Sequence, residues 1–145
     1  MRQVRSVIAA IALLAGCDDQ SCELDRTIER NVGLPSHNCG TLASASTADA
    51  FRAAHDCAVM AIAAHTPFVV TAPMVDTTTA LVGTGSGDSY RVDAFVQITD
   101  DTGRGTLVQT SHCPEVDDFG ACGARMLCLA CGRPQLVGVV CPLPE

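Results

Sequence analysis

Cys128-Leu129-Ala130-Cys131 is the arrangement in this chain most able to do chemistry, two thiols three positions apart among nine cysteines in 145 residues. Such a pair exchanges disulfides when one thiol ionises readily, which needs a helix N-terminus or a nearby cation. Here the pair follows Gly123-Ala124-Arg125-Met126-Leu127 and precedes Gly132-Arg133-Pro134, with no strand-then-helix pattern around it. It reads first as two structural cysteines and second as a thiol–disulfide oxidoreductase pair. His112, Cys113, Cys122, Cys128 and Cys131 together offer enough nitrogen and sulfur for zinc. They lack the repeated C-x2-C pairing that makes a zinc ribbon convincing. A zinc module is kept as an alternative, and no metal or cofactor is expected.

The remaining chemistry-bearing residues point to turns. Gly83, Gly85 and Gly87 alternate in GTGSGDS, but a dinucleotide loop requires G-x-G-x-x-G opening a helix, and a strand pattern follows at Tyr90. A hairpin loop is expected. Asp88, Asp100, Asp101, Asp117 and Asp118 are loop carboxylates without the spacing of a helix–loop–helix calcium site. The histidines, His37, His55, His65 and His112, fall in no nucleophile-elbow or H-E-x-x-H pattern. No catalytic residue is assigned. His65 is expected in the last turn of a helix, where an imidazolium complements the dipole.

The N-terminus, MRQVRSVIAAIALLAGC, is the most specific signal. Arg2 and Arg5 precede an apolar run from Val7 to Leu14, which spans only about 12 Å as a helix against a hydrocarbon core of about 30 Å. The run suits export and not a permanent membrane span. Leu14-Ala15-Gly16-Cys17 resembles the lipobox of bacterial lipoproteins at all four positions. The resemblance implies cleavage before Cys17, a diacylglycerol on its thiol and usually a further acyl chain, such as palmitate, on the new amino group. The implied partner is the lipid bilayer, reached through acylated Cys17. The implied location is the cell envelope, on the inner or outer membrane, with the domain outside the cytoplasm. One acyl chain alone binds marginally, whereas two or three hold a protein stably.

Composition agrees with export. Setting Cys17 aside leaves eight cysteines: Cys22, Cys39, Cys57, Cys113, Cys122, Cys128, Cys131 and Cys141. An even number in an exported chain points to disulfides, here up to four with about 105 possible pairings. Aromatic residues are 3% of the chain and tryptophan is absent, so the core is lean and covalent staples matter. The full chain carries a net charge of −7. Removing Arg2 and Arg5 leaves seven basic residues against 16 acidic, a net −9, which argues against nucleic-acid binding.

Three segments are expected: a cleaved signal peptide at 1–16, a lipid anchor and cysteine-containing tether at 17–45, and a cysteine-rich α+β domain at 46–145. Within the tether, Leu24 to Asn31 could form a short helical turn that Gly33-Leu34-Pro35 ends. Ser46-Thr47-Ala48-Asp49 opens the clearest helix, with Phe51, Ala54, Cys57, Ala58, Ala61 and Ile62 on one face. Thr66-Pro67 stops it. Cys57 lies on the inward face and is expected to staple helix to sheet. From Pro67 the period becomes two, predicting strands at Phe68–Met74, Thr79–Gly83, Tyr90–Ile98, Gly105–Ser111 and Gln135–Cys141. In the third of these, Tyr90, Val92, Ala94, Val96 and Ile98 share one face, with Arg91, Asp93 and Gln97 opposite. Asp100-Asp101-Thr102-Gly103 reads as a turn, and Cys113 to Arg133 as an irregular loop held by its own bridges.

One main helix packed on a four- to five-stranded antiparallel sheet, disulfide-stapled, is the expected architecture. That element order is similar to the cystatin-like fold, some of whose exported members inhibit proteases. Gln135-Leu136-Val137-Gly138 gives only a shortened echo of that family's Q-x-V-x-G motif, and no inhibitory residue carries over. The functional expectation is a membrane-anchored, non-enzymatic binding or structural module.

Overall fold

The computed structural model describes residues 22–35, 37–99, 105–120 and 125–141. The lipobox, Cys17, Cys122 and the Asp100–Gly103 turn lie outside these. No helix among the described residues is long and apolar enough to cross a membrane.

The chain opens with helix α1 (Leu24–Val32) and strand β1 (Asn38–Thr41), followed by helix α2 (Ala48–Ala63). A meander follows: β2 (Phe68–Pro73), β3 (Thr77–Thr84), β4 (Arg91–Thr99) and β5 (Gly105–Cys113). Strands β6 (Glu115–Asp118) and β7 (Leu129–Gly132) form a separate two-stranded sheet, and β8 (Gln135–Cys141) ends the described chain. The main sheet has six strands in the order β1-β2-β3-β4-β5-β8. Neighbours from β2 through β8 are antiparallel, but β1 runs parallel to β2 because α2 carries the chain back between them.

Both helix boundaries of α2 have local causes. Thr47 Oγ1 accepts a hydrogen bond from the Ala50 N–H at 3.2 Å, satisfying a donor of the first turn. At the other end His65 takes a left-handed φ of 51°. Its N–H bonds the Ile62 carbonyl, and the Thr66 N–H bonds the Ala61 carbonyl, closing the helix in a Schellman pattern before Pro67. His65 therefore stands just past the helix instead of in its last turn, and its ring stacks on Tyr90 with centroids 4.9 Å apart.

The sheet is covered on both faces, which corrects the one-helix expectation. On one face, Phe51, Ala54, Ala58 and Ala61 of α2 pack on Phe68, Val70, Leu81 and Val92. On the other, Leu24 and Ile28 of α1 pack on Ala80, Val82, Phe95 and Val108. The opposite side of β4 is accordingly interior: Phe95 is 1% exposed and Asp93 6%. Residues 22–35 and 37–42, within the stretch read as a cysteine-containing tether, contribute α1 and β1 to these layers. Leu24, Ile28 and Val32 recur every fourth position, placing one stripe of α1 against the sheet. The element order similar to a cystatin-like fold does not extend to this two-sided coverage or to the parallel β1. Gln135–Gly138 lies inside β8, an edge strand, and not in a hairpin loop.

Three disulfides between described residues tie these layers. Cys22 at the head of α1 joins Cys141 at the end of β8, Cys39 on β1 joins Cys57 on α2, and Cys113 on β5 joins Cys131 on β7. Cys57 staples helix to sheet, as its place on the inward face suggested. Cys128 is disulfide-bonded as well. In the chain-entropy view, closing an 18-residue separation contributes about 3 kcal/mol and closing one of 119 nearly ~5 kcal/mol. The stretch read as an irregular loop instead contains β6 and β7, paired from Glu115–Gly132 to Asp118–Leu129.

Candidate functional site

Arg91 and Asp93 stand two residues apart on β4, so the period of the strand puts both side chains on the α1 face. The register of β4 and β5 sets Asp93 directly opposite His112. Asp93 Oδ2 accepts from Arg91 Nε at 3.1 Å, and Asp93 Oδ1 lies 3.2 Å from His112 Nδ1. One buried carboxylate thus holds a guanidinium and an imidazole side by side. Both Asp93 oxygens are engaged, whereas Arg91 keeps its two Nη nitrogens and His112 keeps Nε2 for other partners.

The three residues line a groove of about 560 Å³. Its walls include Asn31 from the last turn of α1, Ser89 from the β3–β4 turn and Val140 from β8. The turn is built by the alternating glycines: Gly85 and Gly87 take φ of +76° and +53°, a region other residues enter at a cost. A short 3-10 segment, Gly87–Ser89, follows, in which the Ser89 hydroxyl donates to the Ser86 carbonyl at 2.8 Å. GTGSGDS is therefore a hairpin loop, and it contributes Asp88 and Ser89 to the groove rim.

No known family, curated protein or solved structure matches this chain.

The other sequence candidates are dispersed. Cys131 bonds Cys113, so Cys128 and Cys131 are not bonded to each other, and the motif runs into β7 instead of opening a helix. The proposed zinc set is split by strand geometry: His112 and Cys113 are adjacent on β5 and leave opposite faces, the imidazole to Asp93 and the sulfur to Cys131. Among the aspartates, Asp118 bonds His55 Nε2 at 2.9 Å and accepts the Gly120 N–H at 2.8 Å, a tie between α2 and β6. Asp100 and Asp101 lie outside the described residues.

Two arrangements escaped the linear reading. The Arg91–Asp93–His112 cluster was half visible, since Arg91 and Asp93 had been placed on one strand face, but His112 joins only through strand register. The second is His37, whose Nε2 lies 3.2 Å from Cys57 Sγ, beside the Cys39–Cys57 bridge. Nothing in the spacing of residues 37 and 57 announces it.

Proposed function

We propose that this chain is an exported lipoprotein, held to a membrane by acyl groups on Cys17, whose domain is a non-enzymatic binding module with its ligand groove on the α1 side of the sheet. Asp93 carries the binding part of this reading. A carboxylate 6% exposed is costly to desolvate, and an apolar side chain there would extend the layer of Val82, Phe95 and Val108. A polar group kept at the floor of a groove, orienting two partners whose remaining nitrogens are unspent, is the usual construction of a small-ligand site. The chemistry suits a small polar molecule with an anionic group set against Arg91 and His112.

Ser89 supports binding over acyl transfer. Its hydroxyl is occupied with Ser86, as donor to the carbonyl at 2.8 Å and acceptor from the N–H at 3.4 Å, so it closes a turn. The export part rests on the lipobox, and the disulfides of the described cysteines support it, since such bridges persist in oxidising compartments. With residues 22–42 inside the fold, the leash from Cys17 to Cys22 spans at most roughly 18 Å. Such an anchor would hold the domain close to the bilayer.

Two measurements test the proposal. Intact mass of protein taken from its native envelope should show loss of residues 1–16 and a diacylglyceryl group on Cys17. A thermal-shift screen of small carboxylates and phosphates should find a stabilising ligand that the Arg91→Ala/His112→Ala double variant no longer recognises. Retention of residues 1–16 overturns the anchor, and equal stabilisation of the double variant overturns the groove.

A further inference from the structure

The Cys39–Cys57 bridge differs from Cys22–Cys141 and Cys113–Cys131. Cys22 and Cys113 are each 4% exposed and shield one end of their bridges, whereas Cys39 and Cys57 are both only half-buried. Of the bridges between described residues, it alone has an imidazole against it, His37 Nε2 at 3.2 Å from Cys57 Sγ. His37 is exposed, yet its place is set by the sheet, because its carbonyl accepts the Val69 N–H at 2.9 Å. Gly40 allows the close approach of β1 to α2: it takes a φ of +137°, and a Cβ there would already touch Ala54 Cβ at 3.4 Å. The ligand atoms of His37, Cys39 and Cys57 all lie within 4.8 Å of one another.

We propose that Cys39–Cys57 is the exchangeable bridge of this chain, and that on opening, His37, Cys39 and Cys57 form a two-sulfur, one-nitrogen site for zinc. This goes beyond the groove and shares no residue with it. A low-mass thiolate attacks Cys39 Sγ, forming a mixed disulfide, and the electron pair of the broken S–S bond leaves on Cys57 Sγ. His37 Nε2, 3.2 Å from Cys57 Sγ, stands directly against that leaving sulfur. A second low-mass thiol attacks the outer sulfur of the mixed disulfide and releases Cys39, so two small thiols are oxidised to a disulfide as the bridge is reduced. Zinc then binds both sulfurs as thiolates together with a ring nitrogen of His37, releasing the protons the thiols carried. Zn–S bonds of about 2.3 Å in a tetrahedron set the sulfurs about 3.8 Å apart. Side-chain rotation reaches that spacing from Cα atoms 5.4 Å apart. The exposed side, with three protein ligands in place, leaves a fourth position for water or another donor.

The test uses the mature, folded protein. Graded reduced glutathione at neutral pH, trapping with a maleimide and peptide mapping should label Cys39 and Cys57 at least about tenfold faster than Cys22, Cys141, Cys113 and Cys131. Zinc added to the partly reduced protein should bind at one ion per chain and shield those two thiols from labelling. His37→Ala, and His37→Gln as a second variant, should weaken zinc binding by at least about tenfold with the fold unchanged by circular dichroism. Earlier opening of another bridge, zinc that leaves both thiols reactive, or equal zinc affinity in both variants would each overturn the proposal.

Discussion

His55 Nε2 and Asp118 Oδ1 are 2.9 Å apart, a contact that joins α2 to the β6–β7 pair across 63 positions of sequence. Asp56 Oδ1 faces the other ring nitrogen at 3.2 Å. Burial is the largest single influence on His55 and favours its neutral form. The hydrogen bonds and charges of Asp118 and Asp56 together outweigh it and raise the pKa above the ordinary 6.5. Asp118 is held below its ordinary 3.8, first by the Gly120 N–H and then by His55.

The tie is therefore strongest in a window of mildly acidic pH. The His55 contribution is fully present below 6.5 and is lost as pH rises through the raised folded value. The Asp118 contribution is present above 3.8 and is lost as pH falls through the lowered folded value. The protection of the β6 and β7 amides against hydrogen exchange, relative to their intrinsic rate at each pH, should be greatest inside that window, and His55→Gln should flatten its upper limb. An unchanged upper limb in that variant would show that the contact does not hold the hairpin.

Ile28→Ala tests whether residues 22–42 belong to the domain. Ile28 is 1% exposed between α1 and the sheet. Truncating a buried isoleucine costs about 2–5 kcal/mol. Urea unfolding should show a loss of that size in a single transition with the rest of the chain. A tether outside the fold would give almost no change.

Asp93→Val separates the groove from the core. Arg91 is 58% exposed and His112 36%, so both regain water when their carboxylate is removed. Replacing a buried charge with an apolar side chain is often neutral or stabilising, and a change within about 1 kcal/mol is expected. Any ligand recognised through Arg91 and His112 should bind more weakly to this variant. A large fall in denaturation midpoint would instead make Asp93 a structural residue.

Gly83→Ala tests the packing beneath Tyr90. A Cβ at position 83 would lie 2.6 Å from both Phe68 Cδ1 and the Tyr90 hydroxyl oxygen. Phe68 is fully buried, so it cannot swing aside. Overpacking of this kind costs about 1–3 kcal/mol. Thermal denaturation should register it, and the His65–Tyr90 stacking should loosen in aromatic NMR shifts.

Local patterning determined much of the framework. Thr47 and Pro67 bracket α2 because a side-chain cap and a proline act on their own neighbours. The alternation from Phe68 onward gave strands whose ends match β2, β4 and β5 to within two residues, and β8 at both ends. Leu24, Ile28 and Val32 carried a helical signal too, spaced by four, though nine residues of mostly polar chain do not announce what they cover. β1 was hidden because four residues, Asn-Cys-Gly-Thr, are too few to show a period.

What the tertiary structure alone decided is which distant residues meet. Side-chain period tells which face a residue takes, but not which strand lies alongside or whether a second helix covers that face. The burial of Asp93 is therefore decided only by α1 and β5 enclosing it, and His112 and Cys113, grouped as possible zinc ligands, are sent to opposite faces by the pleat. The eight cysteines suggested bridges by number and compartment. The three bridges between described residues join cysteines 18 to 119 positions apart, which no linear spacing encodes.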